Sequence, residues 1–91
     1  MAESYDVAIE VISQKGTCDA GHKVGDEWII KGKECKTPQG MCLFAYSPLD
    51  PVVRALMYGA SCPWESDPAV TTLACPNAEN PVVLELRRLR K

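Results

Sequence analysis

Cysteine is the residue type in this sequence with the widest chemistry, and the chain contains five cysteines and one histidine. Thiolates bind iron–sulfur clusters, zinc or Cu(I) in preference to harder cations. Cys18, Cys42 and Cys75 each fall at or near a junction between predicted secondary-structure elements, where metal ligands are usually found. The sequence therefore predicts that these three side chains are ligands of one metal site.

The ligand count indicates which metal to expect. Three cysteines with an open or differently filled fourth position suit an iron–sulfur cluster first and zinc second. The candidates for a fourth ligand are His22, four residues after Cys18, and Cys62 on a further predicted loop. No Cys-x-x-Cys pair and no zinc-finger spacing occurs in the sequence, although both are typical of compact metal sites. The site would have to be assembled from distant segments.

Two other interpretations of the cysteines stay open. In a structural or interaction module they would only pack, because a free cysteine behaves as a small, well-buried hydrophobe. A thiol redox protein would need a base or cation beside its nucleophile, and His22 and Lys23 are close to Cys18 in sequence. Cys35, in a predicted exposed basic turn, is the thiol most open to modification. We expect a metal protein for electron transfer, sensing or structural support, more readily than an enzyme.

Composition limits the classes of partner. The 91 residues make one domain, of a size at which a metal or self-association would add useful stability. A net charge of −2 and a pI of about 5.3 argue against general nucleic-acid binding, which requires Lys and Arg to neutralise phosphates. The basic residues within 87–91 are typical of a solvated strand end. We expect a homo-oligomer or a redox partner protein, and neither nucleic acid nor membrane.

The cellular compartment is inferred from the N-terminus and from hydropathy. The opening residues are acidic and lack the basic and apolar regions of a secretory signal. No apolar run approaches the roughly 20 residues that span a bilayer. The sequence thus predicts a cytoplasmic protein, whose thiols are kept reduced and are ligands, reactive groups or core residues rather than disulfides.

The elements that would position the cysteines follow from the apolar pattern. Alternating residues predict strands at 5–13, 28–30, 70–74 and 81–89, the last two paired as a hairpin with a long loop. The pattern becomes helical from 42 to 58, most strongly at 51–58, and two short helical pieces would also satisfy the signals. The order β-β-α-β-β predicts an α+β domain with one main helix on a small antiparallel sheet or a partly closed barrel.

The two tryptophans are predicted to cover the core and the cysteine region from opposite sides. Trp28 opens the second predicted strand and Trp64 follows Cys62-Pro63. If both were exposed, they would instead indicate a surface for a partner.

Several short motifs, spread in order over nearly the whole chain, resemble a family of small single-domain bacterial and archaeal proteins. The family has no named function, so the resemblance implies no activity. It implies that Cys18, Cys42 and Cys75 stand at recurrent cysteine positions, whereas Cys35 and Cys62 are particular to this sequence, which counts against Cys62 as a ligand. The motifs are GHKVGDE at 21–27, KTPQGMC at 36–42, YG at 58–59 with PW at 63–64, ACP at 74–76 and NPVV at 80–83.

Overall fold

A computed structural model describes residues 4–18, 20–34, 36–76 and 79–89. The predicted exposed thiol Cys35 and the last two residues of the basic C-terminal run lie outside the described residues. Within these ranges no helix is long and apolar enough to cross a membrane.

The fold is α+β, as predicted, with one main helix and a four-stranded antiparallel sheet. A short helix and a 3₁₀ turn precede the main helix, so the helical region consists of consecutive pieces. The elements are β1 (Asp6–Gln14), β2 (Glu27–Ile30), α1 (Leu43–Tyr46), the 3₁₀ turn (Ser47–Leu49), α2 (Asp50–Met57), β3 (Val70–Ala74) and β4 (Val82–Leu89).

The sheet is open, so the alternative of a partly closed barrel is wrong. Its strand order is β2-β1-β4-β3, with every neighbouring pair antiparallel. The first and last strands form the central pair, from Asp6 opposite Leu89 to Gln14 opposite Val82, with a register shift between Val11 and Ser13. β3 pairs with β4 as the predicted hairpin. Consequently the loops that follow β1 and β3 lie close to one another.

One face of the sheet is buried under the helical region. Successive side chains of a strand point to opposite faces, and the alternation in β1 and β4 places one set of aliphatic residues entirely inside. The helices contribute the other side of the core, mainly through α2. The buried hydrophobic residues are Val7, Ile9, Val11, Ile30, Ala45, Leu49, Val53, Leu56, Met57, Val82, Leu84 and Leu86.

Two prolines divide the helical region. Pro48 and Pro51 have no N–H to donate to the carbonyls of Phe44 and Ser47, so the helical hydrogen-bond ladder is interrupted twice. Side chains reconnect the pieces: the Tyr46 hydroxyl donates to Asp50 Oδ1 at 2.9 Å across the 3₁₀ turn. Burial and this bond to the Asp50 carboxylate raise the pKa of Tyr46 to about 12. The two helices and the 3₁₀ turn therefore form one continuous helical segment, which begins directly after Cys42.

Arg88 ties the end of α2 to β4. Its Nη1 donates to the carbonyls of Leu56 at 3.2 Å and Ala60 at 2.7 Å, and its Nη2 donates to the carbonyl of Pro68 at 3.3 Å. Its guanidinium also lies 5.5 Å from the centroid of the Tyr5 ring. The last carbonyls of a helix have no partner within it, so Arg88 satisfies one of them and holds the following loop against the sheet.

Candidate functional site

Cys18, Cys42 and Cys75, the three predicted ligands, line a single cavity of about 280 Å³. The cavity lies where the loop after β1, the start of α1 and the end of β3 meet. His22 is also part of its wall. The remaining residues that line it are Ala20, Phe44, Ala45, Pro76, Asn80 and Val82.

Cys18 is held by the loop that follows β1. Its carbonyl accepts a hydrogen bond from the Gly21 N–H at 2.9 Å. The preceding residue is fixed across the cavity, because the Thr17 N–H donates to Asn80 Oδ1 at 2.9 Å. Gly16 has a φ of +69°, and an added Cβ there would collide with the Asn80 side chain. The close approach of these two loops thus depends on a glycine at position 16.

Cys42 is the residue immediately before α1. Its carbonyl accepts the N–H groups of Ala45 at 3.1 Å and Tyr46 at 3.0 Å, which are the first turn of the helix. Its own N–H donates to His22 Nε2 at 2.9 Å. Backbone bonds on both sides therefore fix this cysteine, while its half-buried side chain faces the cavity.

Cys75 directly follows β3 and is bound twice to Val82 in β4. Its N–H donates to the Val82 carbonyl at 2.9 Å, and its Sγ accepts the Val82 N–H at 3.2 Å. A backbone N–H that points at sulfur stabilises negative charge there, and hydrogen bonds of this kind tune the ligands of iron–sulfur clusters. The hairpin thus fixes the position of this sulfur at the cavity wall.

His22 connects the loop after β1 to the start of α1. It is 6% exposed, and its ring meets the Trp28 ring edge to face, with centroids 5.0 Å apart and planes inclined at 76°. Trp28 Nε1 in turn donates to the Gln39 carbonyl at 3.1 Å. Because Nε2 accepts the Cys42 N–H, a neutral His22 carries its proton on Nδ1. Neither ring nitrogen is a ready metal ligand in this arrangement.

The cavity is not a preformed ion site. Among the residues described in the four ranges, no group of three or more His, Cys, Asp or Glu side chains is placed so that it could hold a metal ion. A zinc ion with Zn–S bonds of about 2.3 Å would need its sulfur atoms about 3.8 Å apart. The three cysteines share a cavity, but they are not placed to hold one ion.

Among its described residues, the cavity wall contains no Asp, Glu, Lys or Arg. Its floor includes Ala45 at 2% and Val82 at 1% exposure, whereas Ala20, Phe44 and Pro76 are exposed at its rim. Electrostatic interactions are stronger in such surroundings than in water. A charged group held here would therefore depend on backbone N–H groups and on its own ligands for stabilisation.

The loop between α2 and β3 lies apart from the cavity. Cys62, the second predicted candidate for a fourth ligand, does not line it, and the Cys62 carbonyl instead accepts the Glu65 N–H at 3.0 Å. Trp64 is 72% exposed, so the prediction that it covers the cysteine region is wrong. Trp28 is half-buried and packs against the core, as expected.

Asn80 and Val82 are two wall residues whose contacts the sequence did not indicate. Asn80 Oδ1 accepts the Thr17 N–H and so holds the loop that carries Cys18, and the Val82 N–H donates to the sulfur of Cys75. The Asn80-Pro81 pair indicates a turn, but a turn signal does not reveal that an amide oxygen reaches across to another loop. Only the pairing of β1 with β4 brings them together.

Comparison with known proteins found no matching family model, no similar curated protein and no similar solved structure. The resemblance to a family with three recurrent cysteines stays a prediction.

Proposed function

We propose that this protein is a small metal protein in which Cys18, Cys42 and Cys75 ligate one centre, an iron–sulfur cluster before zinc. The centre serves electron transfer, sensing or structural support, and no catalytic role is assigned to the chain. We place the protein in the cytoplasm, where thiols stay reduced and available as ligands.

The shared cavity is the observation that supports this proposal best. Three cysteines from three separate segments line one small space, while Cys62 lies elsewhere. Burial alone would allow each sulfur to pack at its own place in the core. Their convergence is better explained by a common ligand, and the N–H donated to Cys75 Sγ suits a thiolate.

The volume of the cavity is our reason to prefer a cluster to a single ion. The described cysteines are not positioned to hold one ion, whereas a four-iron cluster is several atoms across and would bind each thiolate through a separate iron. The cavity of about 280 Å³ and its largely apolar wall are suitable for such a group. A cluster would supply one-electron redox chemistry. The chain contributes the thiolates, the hydrogen bond to Cys75 Sγ and partial exclusion of water.

The direct test is metal analysis of protein purified without air. We expect iron and acid-labile sulfide in a fixed ratio to protein, together with visible absorption by the cluster. Substitution of any lining cysteine, Cys18→Ser, Cys42→Ser or Cys75→Ser, should abolish or sharply reduce the iron content.

Cys62→Ser is the matched control, because it removes a half-buried thiol that does not line the cavity. It should leave iron and sulfide unchanged. Zinc at one equivalent that depends on the same three cysteines would support the metal site but exclude the cluster. Metal that persists in all three variants, or its absence from the wild type, would contradict the proposal.

One observation favours a second function, that of an interaction module with buried reduced thiols. Cys18, Cys42 and Cys75 all pack against the hydrophobic core. In that case each Cys→Ala variant would stay folded and the protein would bind no metal. A thiol redox protein would differ from both, because a single cysteine would be alkylated much faster than the others near neutral pH.

A further inference from the structure

A second cavity, of about 180 Å³, lies between the end of β2 and one face of α2. The helix lines it with Asp50, Val53, Arg54 and Met57. These residues are spaced i, i+3, i+4 and i+7, so they share one face of the helix. The residues that line this second cavity differ from those that line the cysteine cavity. It is a separate candidate site, and binding there requires no metal.

The floor of the second cavity is apolar. It is formed by the buried side chains of Ile30, Val53 and Met57. Tyr46, which is half-buried, and Tyr58, which is exposed, add aromatic rings to the wall. An apolar cavity of about 150 Å³ can hold benzene. The second cavity therefore has room for a single six-membered ring.

The rim of the second cavity is cationic. Lys36 and Arg54 line it with exposed side chains. The Asp50 carboxylate in the same wall has a donor on each oxygen, since the Tyr46 hydroxyl donates to Oδ1 at 2.9 Å and Arg54 Nε donates to Oδ2 at 3.1 Å. The second bond orients the guanidinium and uses one of its five N–H donors. Together the described lining residues carry two cations and one carboxylate, a net charge of +1 that favours an anionic ligand.

We propose that the second cavity binds a small monocyclic carboxylate, with its ring on the apolar floor and its carboxylate between Lys36 and Arg54. Ligand sites in proteins commonly combine an apolar wall with a few polar groups that fix the orientation of the ligand. Arginine N–H donors form charge-assisted, often bidentate hydrogen bonds with a carboxylate, and Lys36 adds a second cation. The rings of Tyr46 and Tyr58 favour an aromatic ligand, because aromatic pairs attract one another in offset or edge-to-face arrangements.

The test is titration of the reduced, full-length, ¹⁵N-labelled protein with sodium benzoate at constant ionic strength, followed by NMR. We expect saturable shifts of the amide signals of Thr37, Val53 and Arg54. The amide signals of Cys42 and Ala45, in the cysteine cavity, should change little. Benzamide has the same shape without the charge, and acetate has the charge without the ring. Each should bind at least about tenfold more weakly than benzoate, because each lacks one of the two interactions.

Three variants test the role of the cationic rim. Lys36→Gln and Arg54→Gln should each weaken benzoate binding about tenfold, since each removes one charged partner of the carboxylate. Lys33→Gln is the matched control, because Lys33 is an exposed lysine near Lys36 in sequence that does not line the second cavity. It should leave the Kd for benzoate unchanged.

Three results would overturn the inference. The first is shifts that do not saturate or that map to the cysteine cavity. The second is equal binding of benzamide and benzoate, because the cationic rim would then have no role. The third is an equal loss of affinity in Lys33→Gln and Lys36→Gln, which would indicate an effect of net charge alone. The metal content of the protein is measured separately, so each of these results leaves the proposed function standing.

Discussion

His22 shows how a single buried side chain can determine the geometry of the cavity. Its acceptor nitrogen fixes the N–H of Cys42, and its ring packs on Trp28. It thereby joins the loop that carries one cysteine to the helix start that carries another. The sequence predicts a candidate ligand at this position, whereas the contacts describe a residue that positions Cys42.

We expect His22→Ala to destabilise the metal-free protein by about 1–3 kcal/mol, the usual cost of leaving a part-buried donor unsatisfied. Urea denaturation of the reduced protein measures this change. The neighbouring Lys23→Ala is the control, because that side chain is exposed and makes only a surface ion pair with Asp26 at 3.6 Å. Equal, small effects of the two substitutions would show that the His22 contacts do not stabilise the fold.

Arg87 and Arg88 are adjacent in β4 but differ in their surroundings. Arg88 donates to three carbonyls beyond its own strand, whereas half-exposed Arg87 makes surface ion pairs with Asp67 at 3.8 Å and Glu85 at 3.4 Å. Hydrogen bonds from charged donors contribute about 1.5–3 kcal/mol and surface ion pairs about 0–1 kcal/mol. Arg88→Ala should therefore lower the free energy of unfolding by about 2–3 kcal/mol and Arg87→Ala by less than about 1 kcal/mol. Similar losses in thermal denaturation of the two variants would contradict this assignment.

At the scale of secondary-structure elements, three neighbouring strands carry a row of glutamates on the exposed face of the sheet. Glu10 in β1 lies directly opposite Glu27 in β2 and Glu85 in β4. Like charges at directly opposite positions in a sheet are destabilising. Burial of the opposite face determines this register, so the carboxylates are brought together in spite of their repulsion.

Glu10→Gln should relieve repulsion with both neighbours at once and raise the free energy of unfolding by about 0.5 kcal/mol. The gain should shrink at about 1 M salt, where the Debye length falls to about 3 Å. Denaturant titrations at low and high salt measure it. Glu34→Gln, in the exposed turn after β2, removes the same charge outside the row and should bring no gain. A gain in both variants would indicate an effect of net charge alone.

At the scale of the whole molecule, the cavity joins three parts of the chain that are distant in sequence. A ligand that binds the folded state and not the unfolded one stabilises it by about 2.7 kcal/mol at 100 times its Kd. For a domain of this size that corresponds to a rise in Tm of about 10–20 °C. We expect such a rise when the anaerobic protein is loaded with the proposed metal centre, because the three cysteine ligands would bridge separate segments.

The control for this experiment is again Cys62, the half-buried cysteine that does not line the cavity. Cys62→Ser should retain the full rise in Tm on loading, and Cys42→Ser should lose most of it. A rise that is independent of Cys42 would mean that metal binds elsewhere on the protein.

The local sequence determined which segments of this protein form strands and helices, because the patterns that favour these structures extend over only a few residues. The alternation of Val7, Ile9 and Val11 was sufficient to predict a strand and its buried face, since successive side chains of a strand face opposite ways. The prolines marked where the helical region is interrupted, and the pattern at its end placed Leu56 and Met57 in the core. The hairpin of β3 and β4 followed from neighbouring strands and the turn residues between them.

Tertiary structure alone decided which distant segments meet. The pairing of β1 with β4 leaves no periodic signal in the sequence, because it is set by the combined burial of both strands under the helices. That pairing brings Asn80 beside Thr17 and Cys75 to the same cavity as Cys18. Cys62 and Trp64 do not line this cavity. Residue types specified the available chemistry, and long-range packing selected the side chains that share one space.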